Sequence, residues 1–248
     1  MRTVVVGASS GLGRCIATGL ASRGDKVAVL ARRFDKLTDA AKEAGEGTLA
    51  IRCDVSDEDS VAEAIGEAAS GLGGIDALVY AVGVGPLGRL SETSAATWRS
   101  TFDTNVVGAA LVTAAALPHL AKSNGAAAFL SSVSASMTPP WPGLGAYVVS
   151  KAALDKLVEA WRMEHPEVGF TRVIVGECAG GEGDSMTGFA SGWDPDLAAE
   201  FGTMWLGRNY FTGDLLDVDC LVRVLHSVLG LGATASVPSV TVAARPPG

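Results

Sequence analysis

The chain has 248 residues, of which 48% are apolar and 19% charged, a balance that excludes wholesale disorder and supplies one large core. A formal net charge of −8, with no cluster of Lys and Arg against it, disfavours nucleic acid and anionic membrane surfaces as partners. No run approaches the roughly 18 uninterrupted apolar residues of a membrane span, since Gly, Asn, Asp or Lys break the Ala-rich stretches.

Short β-branched runs alternate with longer helical patterns along the chain. Strands are expected at 3–6, 26–30, 48–52, 76–81, 126–131, 171–175 and 236–242, with helices at 11–22, 34–44, 58–69, 95–121, 145–164 and 217–229. The strand cores are nearly continuous apolar runs, as they are when both faces of a parallel sheet are covered. Strand, helix, strand repeated throughout implies one α/β domain over 1–248, a doubly wound parallel sheet with helices on both faces. The interval 179–214 breaks the rhythm: it is rich in Gly and aromatics, offers no clear strand, and reads either as a lid over a site or as an ordered surface excursion.

The first strand runs into Gly7-Ala8-Ser9-Ser10-Gly11-Leu12-Gly13 and then a helix. Glycines there allow a tight turn, bring backbone close to a pyrophosphate and point the free amides of a helix N-terminus at its charge. The same residues fit the G-x-S-x-G elbow of serine hydrolases with Ser9 as nucleophile, but an elbow needs strands and an oxyanion loop upstream, and only six residues precede Gly7. At the end of the second strand, where an acidic residue would hold the ribose hydroxyls of NAD, stand Arg32 and Arg33. A guanidinium can bind a 2′-phosphate bidentately, which favours NADP(H) over NAD(H). The plain alternative is two solvated arginines at a helix start, with Asp35 close by. Asp54 and Val55, just past the third strand, are placed to meet an adenine ring, or Asp54 caps the next helix.

Tyr147 and Lys151 stand four residues apart on a helix and so share a face. Moving a phenol from a pKa near 10 to about 7 requires about 4 kcal/mol of preferential stabilisation of the phenolate. An ammonium at ~4 Å supplies about 1 kcal/mol in bulk water and about 4 kcal/mol at an effective dielectric of 20. The pair therefore works only in a partly dehydrated cleft.

From Arg2 to about Val175 the chain resembles the short-chain dehydrogenase/reductase (SDR) family, through Gly7, Gly11, Gly13, Asp54, Asn105, Tyr147 and Lys151 in that order. The resemblance implies a Rossmann fold and hydride transfer between a nicotinamide cofactor and a carbonyl or alcohol. It implies that Tyr147 exchanges a proton with the substrate oxygen, that Lys151 lowers the Tyr147 pKa and holds the nicotinamide ribose, and that Asn105 anchors a water in a proton relay. It implies also a homodimer or homotetramer. For the serine that polarises the substrate oxygen, the motif selects Ser132 and the distance to the tyrosine selects Ser134; Ser132 is chosen because Pro139-Pro140-Trp141-Pro142 looks like an insertion. Two segments depart from the family. Tyr80-Ala81-Val82-Gly83 replaces Asn-Asn-Ala-Gly, keeping the close backbone approach at Ala81 and Gly83, and Gly176-Glu177-Cys178-Ala179 stands where Pro-Gly is usual. These departures motivate a second reading, a regulatory protein that holds NADP(H) without turnover.

Trp141, Trp193, Trp205, Tyr210 and Phe211 are expected to flank the cleft, suiting an apolar or aromatic substrate, and Trp161 suits a subunit contact. His119, His165 and His226 lack partners at ligand or triad spacing, so no metal is expected. Cys15, Cys53, Cys178 and Cys220 lie far apart and read as small buried hydrophobes. With no secretory pattern after Met1-Arg2, a reducing cytoplasm is the expected setting.

Overall fold

The structure is a computed structural model that describes residues 1–210, 215–231 and 235–245. Seven parallel strands lie in the order β3-β2-β1-β4-β5-β6-β7. They are β1 (Arg2–Val6), β2 (Lys26–Ala31), β3 (Leu49–Arg52), β4 (Ala77–Tyr80), β5 (Ala126–Ser132), β6 (Gly169–Val175) and β7 (Ser239–Val242). Val4, Val5 and Val6 are fully buried, as are Ala28, Val29 and Leu30. Such runs form strands because their side chains are buried on both faces, where β-branched residues pack well.

One face of the sheet is covered by α3 (Glu58–Leu72), α5 (Gly108–Ser123) and α7 (Gly145–Glu164), through Ile65, Val112, Leu120, Leu154 and Val158. The other is covered by α1 (Gly11–Ala21), α2 (Phe34–Ala44) and α9 (Val218–Leu229), through Ile16, Leu20, Leu37, Leu221 and Leu225. Strand order reverses between β1 and β4, with Val6 in register with Tyr80. A crevice opens outside the carboxyl ends of strands at such a switch point.

Two expected elements change. The single helix expected over 95–121 is α4 (Ala95–Phe102), a π-helical turn Asp103–Val107 and α5. The extra residue of a π turn re-aims one side chain, and here Asn105 is that buried residue. By length and hydropathy the whole stretch Ala95–Ser123 passes as a membrane span; the face with Ala109, Val112, Ala116 and Leu120 is buried in the sheet core. The interval expected to be irregular contains α8 (Pro195–Gly207), started by the Asp194 carboxylate, which accepts from the Asp196 and Leu197 amides at 3.0 Å. Asp at the N-cap with Pro next to it is a helix-start signal, and Leu197, Phe201, Met204 and Trp205 follow at helical spacing. Asn209, at φ 53°, turns the chain after α8. The short α6 (Val133–Ser136) comes directly after β5.

Candidate active site

One cleft of about 1060 Å³ runs along the switch point, from Arg33 and Asp54 past Gly7 and Gly83 to Tyr147 and Trp193. At its first end the turn after β1 is shaped by main chain. Gly7 has φ +91°, and a Cβ on it would stand 2.9 Å from the Ala81 carbonyl carbon and the Val82 nitrogen. A Cβ on Gly13 would collide with the Gly7 carbonyl oxygen, and Gly11 holds φ +59°. Ser10 is the N-cap of α1 but makes no side-chain cap, so the first amides of the helix keep their donors. Leu12 lines the same wall. This floor would be filled by any side chain, and its uncapped amides suit a pyrophosphate; the residues fit a dinucleotide.

Past the turn, the Arg33 guanidinium donates to Ser10 Oγ at 2.6 Å and Ser9 Oγ at 3.1 Å, so Arg33 reaches across from the end of β2. The Ser9 hydroxyl therefore meets a guanidinium, which cannot take its proton, and not a histidine; the hydrolase elbow lacks its base. Asp54 does not cap α3, because Asp57 does so by accepting from Ser60 N at 3.0 Å. Asp54 instead accepts from the Ser56 amide and hydroxyl at 3.0 and 2.7 Å. Burial raises its pKa, but these two bonds with nearby Arg32 and Arg52 hold the carboxyl below its usual range. Asp54, Val55, Ala81 and Gly83 all line the cleft, whereas Asp35 is exposed.

At the far end Ser132, Tyr147 and Lys151 meet on β5 and α7. Lys151 is buried, and its Nζ donates to the Leu130 carbonyl at 2.7 Å and sits 5.9 Å from the Tyr147 ring centroid. Burial pushes its pKa down to about 8 against the pull of Asp155, one helical turn on. Burial likewise raises the Tyr147 pKa, opposed by the Ser132 hydroxyl. Dehydration penalises the charged form of each group, the phenolate and the ammonium alike. Of the two candidate serines, Ser132 is the one beside the phenol; its Oγ also lies 2.9 Å from Ser134 Oγ, and Ser134 is buried behind it in α6. Ser131 is buried against Asp155.

Asn105 is fully buried in the π turn and holds the segment after β4. Its Nδ2 donates to the Val84 carbonyl at 2.9 Å and Ser150 Oγ at 2.8 Å, and its Oδ1 accepts from the Val84 amide at 2.9 Å. Both amide hydrogens are spent clamping the segment after β4 to α7, so a water could find only acceptor capacity on this side chain. Tyr80 completes the clamp: fully buried, it donates to the Thr104 carbonyl at 2.5 Å, and burial drives its pKa far upward. Gly108 makes room, since a Cβ there would stand 2.8 Å from that hydroxyl. Tyr80 and Asn105 therefore supply the anchoring that the altered segment after β4 needs.

The last part of the cleft is aromatic. Phe189 meets Tyr147 edge-to-face at 4.9 Å between centroids, Trp193 meets Phe189 at 5.4 Å, and Trp141 meets Trp205 at 5.3 Å. Trp141, Trp193 and Phe189 line the cleft, while Trp205 is buried behind them and Tyr210 stacks on Trp141; Phe211 lies outside the described residues. Phe189 carried no signal in the sequence, being a single aromatic in a Gly-rich stretch. The loop bearing it is tied down by Asp184, 2.9 Å from Lys36 Nζ and 3.8 Å from Arg14 Nη1. Trp161 turns inward to stack on Phe170 at 6.3 Å. Among the described residues no group of His, Cys, Asp and Glu could hold a metal, and all four cysteines are free thiols.

A family model described as short chain dehydrogenase matches residues 2–188. The chain is 34% identical over 179 residues, 70% of its length, to 11-beta-hydroxysteroid dehydrogenase A of Sesamum indicum, of which the match covers 51%. It is 39% identical over 134 residues, 52% of its length, to cis-4-hydroxycyclohexanecarboxylate dehydrogenase of Sinomonas cyclohexanicum, of which the match covers 54%. The chain thus spans about half the length of these curated relatives. Among solved structures, an alcohol dehydrogenase from the archaeon Thermococcus sibiricus complexed with 5-hydroxy-NADP superposes with a TM-score of 0.80 at 26% identity, over 99% of this chain and 98% of that one.

Proposed function

The chain belongs to the short-chain dehydrogenase/reductase family, and from that premise we propose that it is an NADP(H)-dependent oxidoreductase that interconverts a carbonyl and an alcohol. The observation that carries the reading is the convergence of Ser132, Tyr147 and Lys151 at one end of the cleft that begins at the glycine turn.

When bound, the dinucleotide supplies a hydride to the carbonyl carbon in reduction and accepts one in oxidation. Gly7, Gly11, Gly13 and the α1 amides would hold the pyrophosphate, Asp54 and Val55 the adenine side, and Ala81 and Gly83 the close backbone approach. In reduction the Ser132 hydroxyl donates to the carbonyl oxygen, and the Tyr147 hydroxyl transfers its proton to that oxygen as charge develops. The Lys151 ammonium, adjacent to the phenol, steadies the phenolate left behind; oxidation runs the same proton back. Preference for NADP(H) is supported by Arg33, already aimed at Ser9 and Ser10 where a 2′-phosphate would accept a bidentate guanidinium.

Following nicotinamide absorbance with ketones and alcohols tests the reading. Tyr147→Phe is expected to lower kcat/KM by roughly 10²–10⁴-fold, the usual worth of a positioned proton donor. Turnover that survives the substitution removes the mechanism. Tight NADPH binding with no turnover of any carbonyl or alcohol would instead identify the non-catalytic binding protein.

A further inference from the structure

Resting on the oxidoreductase reading, we infer that the substrate is an uncharged carbonyl compound with an apolar ring body, and that this end of the cleft turns away carbonyl compounds bearing a carboxylate or phosphate. Two independent features of the cleft carry this.

The first is that the aromatic wall has no polar group to offer. Trp193 Nε1 donates to the Gly85 carbonyl at 2.8 Å, Trp205 Nε1 to the Pro142 carbonyl at 2.9 Å, and Trp141 Nε1 to Thr138 Oγ1 at 3.3 Å. The indole hydrogens are consumed inside the protein, leaving ring faces and edges toward the cleft. Phe189 extends that surface onto Tyr147 at 4.9 Å, over Gly85, where a Cβ would collide with the phenyl ring. A carbonyl presented to Tyr147 and Ser132 therefore has its body against rings.

The second is the distribution of charge. Among the described residues lining the cleft, the charged side chains are Arg32, Arg33, Asp54, Lys151 and Glu177. The first three stand at the nucleotide end, Lys151 is bonded to the Leu130 carbonyl, and Glu177 is itself acidic. Outside the wall, Arg89 is held by both Glu200 oxygens at 2.7 and 2.9 Å and covers Phe201 at 5.5 Å, and Arg208 lies over the Tyr210 ring at 6.0 Å; neither lines the cleft. Residues 211–214, 232–234 and 246–248 include no Lys, Arg or His. An anionic substituent lying against the rings, away from Lys151, would thus lose hydration and meet no cation among the described lining residues, which is unfavourable, and the net charge of −8 opposes its approach. A neutral ring loses nothing there and gains contact area.

The matched pair methyl 4-oxocyclohexanecarboxylate and 4-oxocyclohexanecarboxylate isolates the charge, because the two ketones share the ring and differ in the ester. With saturating NADPH, kcat/KM is expected to favour the ester by at least ~100-fold, the order set by burying an unpaired carboxylate; equal values overturn the inference while leaving the oxidoreductase reading intact. Tryptophan fluorescence with NADP+ present gives a readout independent of turnover, the ester binding at least ~10-fold tighter than the acid at one ionic strength. If neither ketone is turned over, the oxidoreductase reading loses its support, and the fluorescence ratio still decides this inference. An acid that binds as tightly as the ester, or an ester that does not bind, overturns it. Phe189→Ala should weaken the ester at least ~5-fold through lost ring contact, with the melting temperature reporting that the variant is folded; unchanged affinity removes Phe189 from the site.

Discussion

The two ends of the cleft are built from different materials. The end proposed for the nucleotide is largely main chain: strand ends, uncapped helix amides and glycines that leave no room for a side chain. The aromatic end is side chain, brought from the segments around Trp141, Phe189 and α8 and held by ring packing. Backbone positioned by a buried sheet tolerates no addition, whereas a packed ring cluster on irregular segments can exchange members. On the proposed oxidoreductase reading, a cofactor common to the family and a substrate particular to this chain call for that division.

The sharpest way to break the comparison is Gly13→Ala. Its Cβ meets the Gly7 carbonyl, which is backbone and cannot swing aside, so dinucleotide affinity by fluorescence titration should fall by ~100-fold or more, an overpacking penalty of about 3 kcal/mol. Arg33→Ala spares the main-chain floor and removes only a side-chain contact, so NADPH affinity by calorimetry should drop roughly 10-fold, about 1.4 kcal/mol, with NADH nearly unchanged. Equal losses for both cofactors would detach Arg33 from the phosphate.

A smaller effect lies in the pH profile at the catalytic end. Burial lowers the Lys151 pKa from 10.5 to about 8, so the ammonium is present below about 8 and is lost as pH rises through it. Ketone reduction at saturating NADPH should decline through that range. Asp155 is the group that raises the Lys151 pKa, so Asp155→Asn should move the decline to lower pH; a decline that stays in place would show that Lys151 does not set it. The smallest expected change is Tyr80→Phe, which deletes the bond to the Thr104 carbonyl. Urea unfolding should register a loss of about 1 kcal/mol, with the melting curve still cooperative.

Much of the fold was legible in order. The seven strands and the helices at Phe34–Ala44 and Gly145–Glu164 lie where apolar runs and helical periodicity put them, because local burial patterns reveal strands covered on both faces. The helix at Pro195–Gly207 was missed although Asp194 and Pro195 announce its start, since Phe201 and Trp205 bury a local aromatic cluster and not the sheet core. The split of the central helix was also hidden, for a π turn leaves no periodic trace in so short a span.

At the candidate site, spacing along one helix was enough to put Tyr147 and Lys151 on one face, and the glycine pattern marked the turn. It could not say that Asn105 spends its amide on Val84 and Ser150, that Tyr80 ties its strand end to Thr104, or that Arg33 rather than Arg32 reaches Ser10.

The order of residues by itself determined the doubly wound sheet and the glycine turn, because these depend on apolar period, chirality and backbone freedom that neighbouring residues carry, and the motif residues from Gly7 to Lys151 carried the family resemblance. Only the tertiary structure decided the aromatic wall, the state of charge around Lys151 and the clamp on the segment after β4. Those rest on burial and on contacts between residues tens of positions apart, and neither burial nor contact is a property of any one stretch of chain.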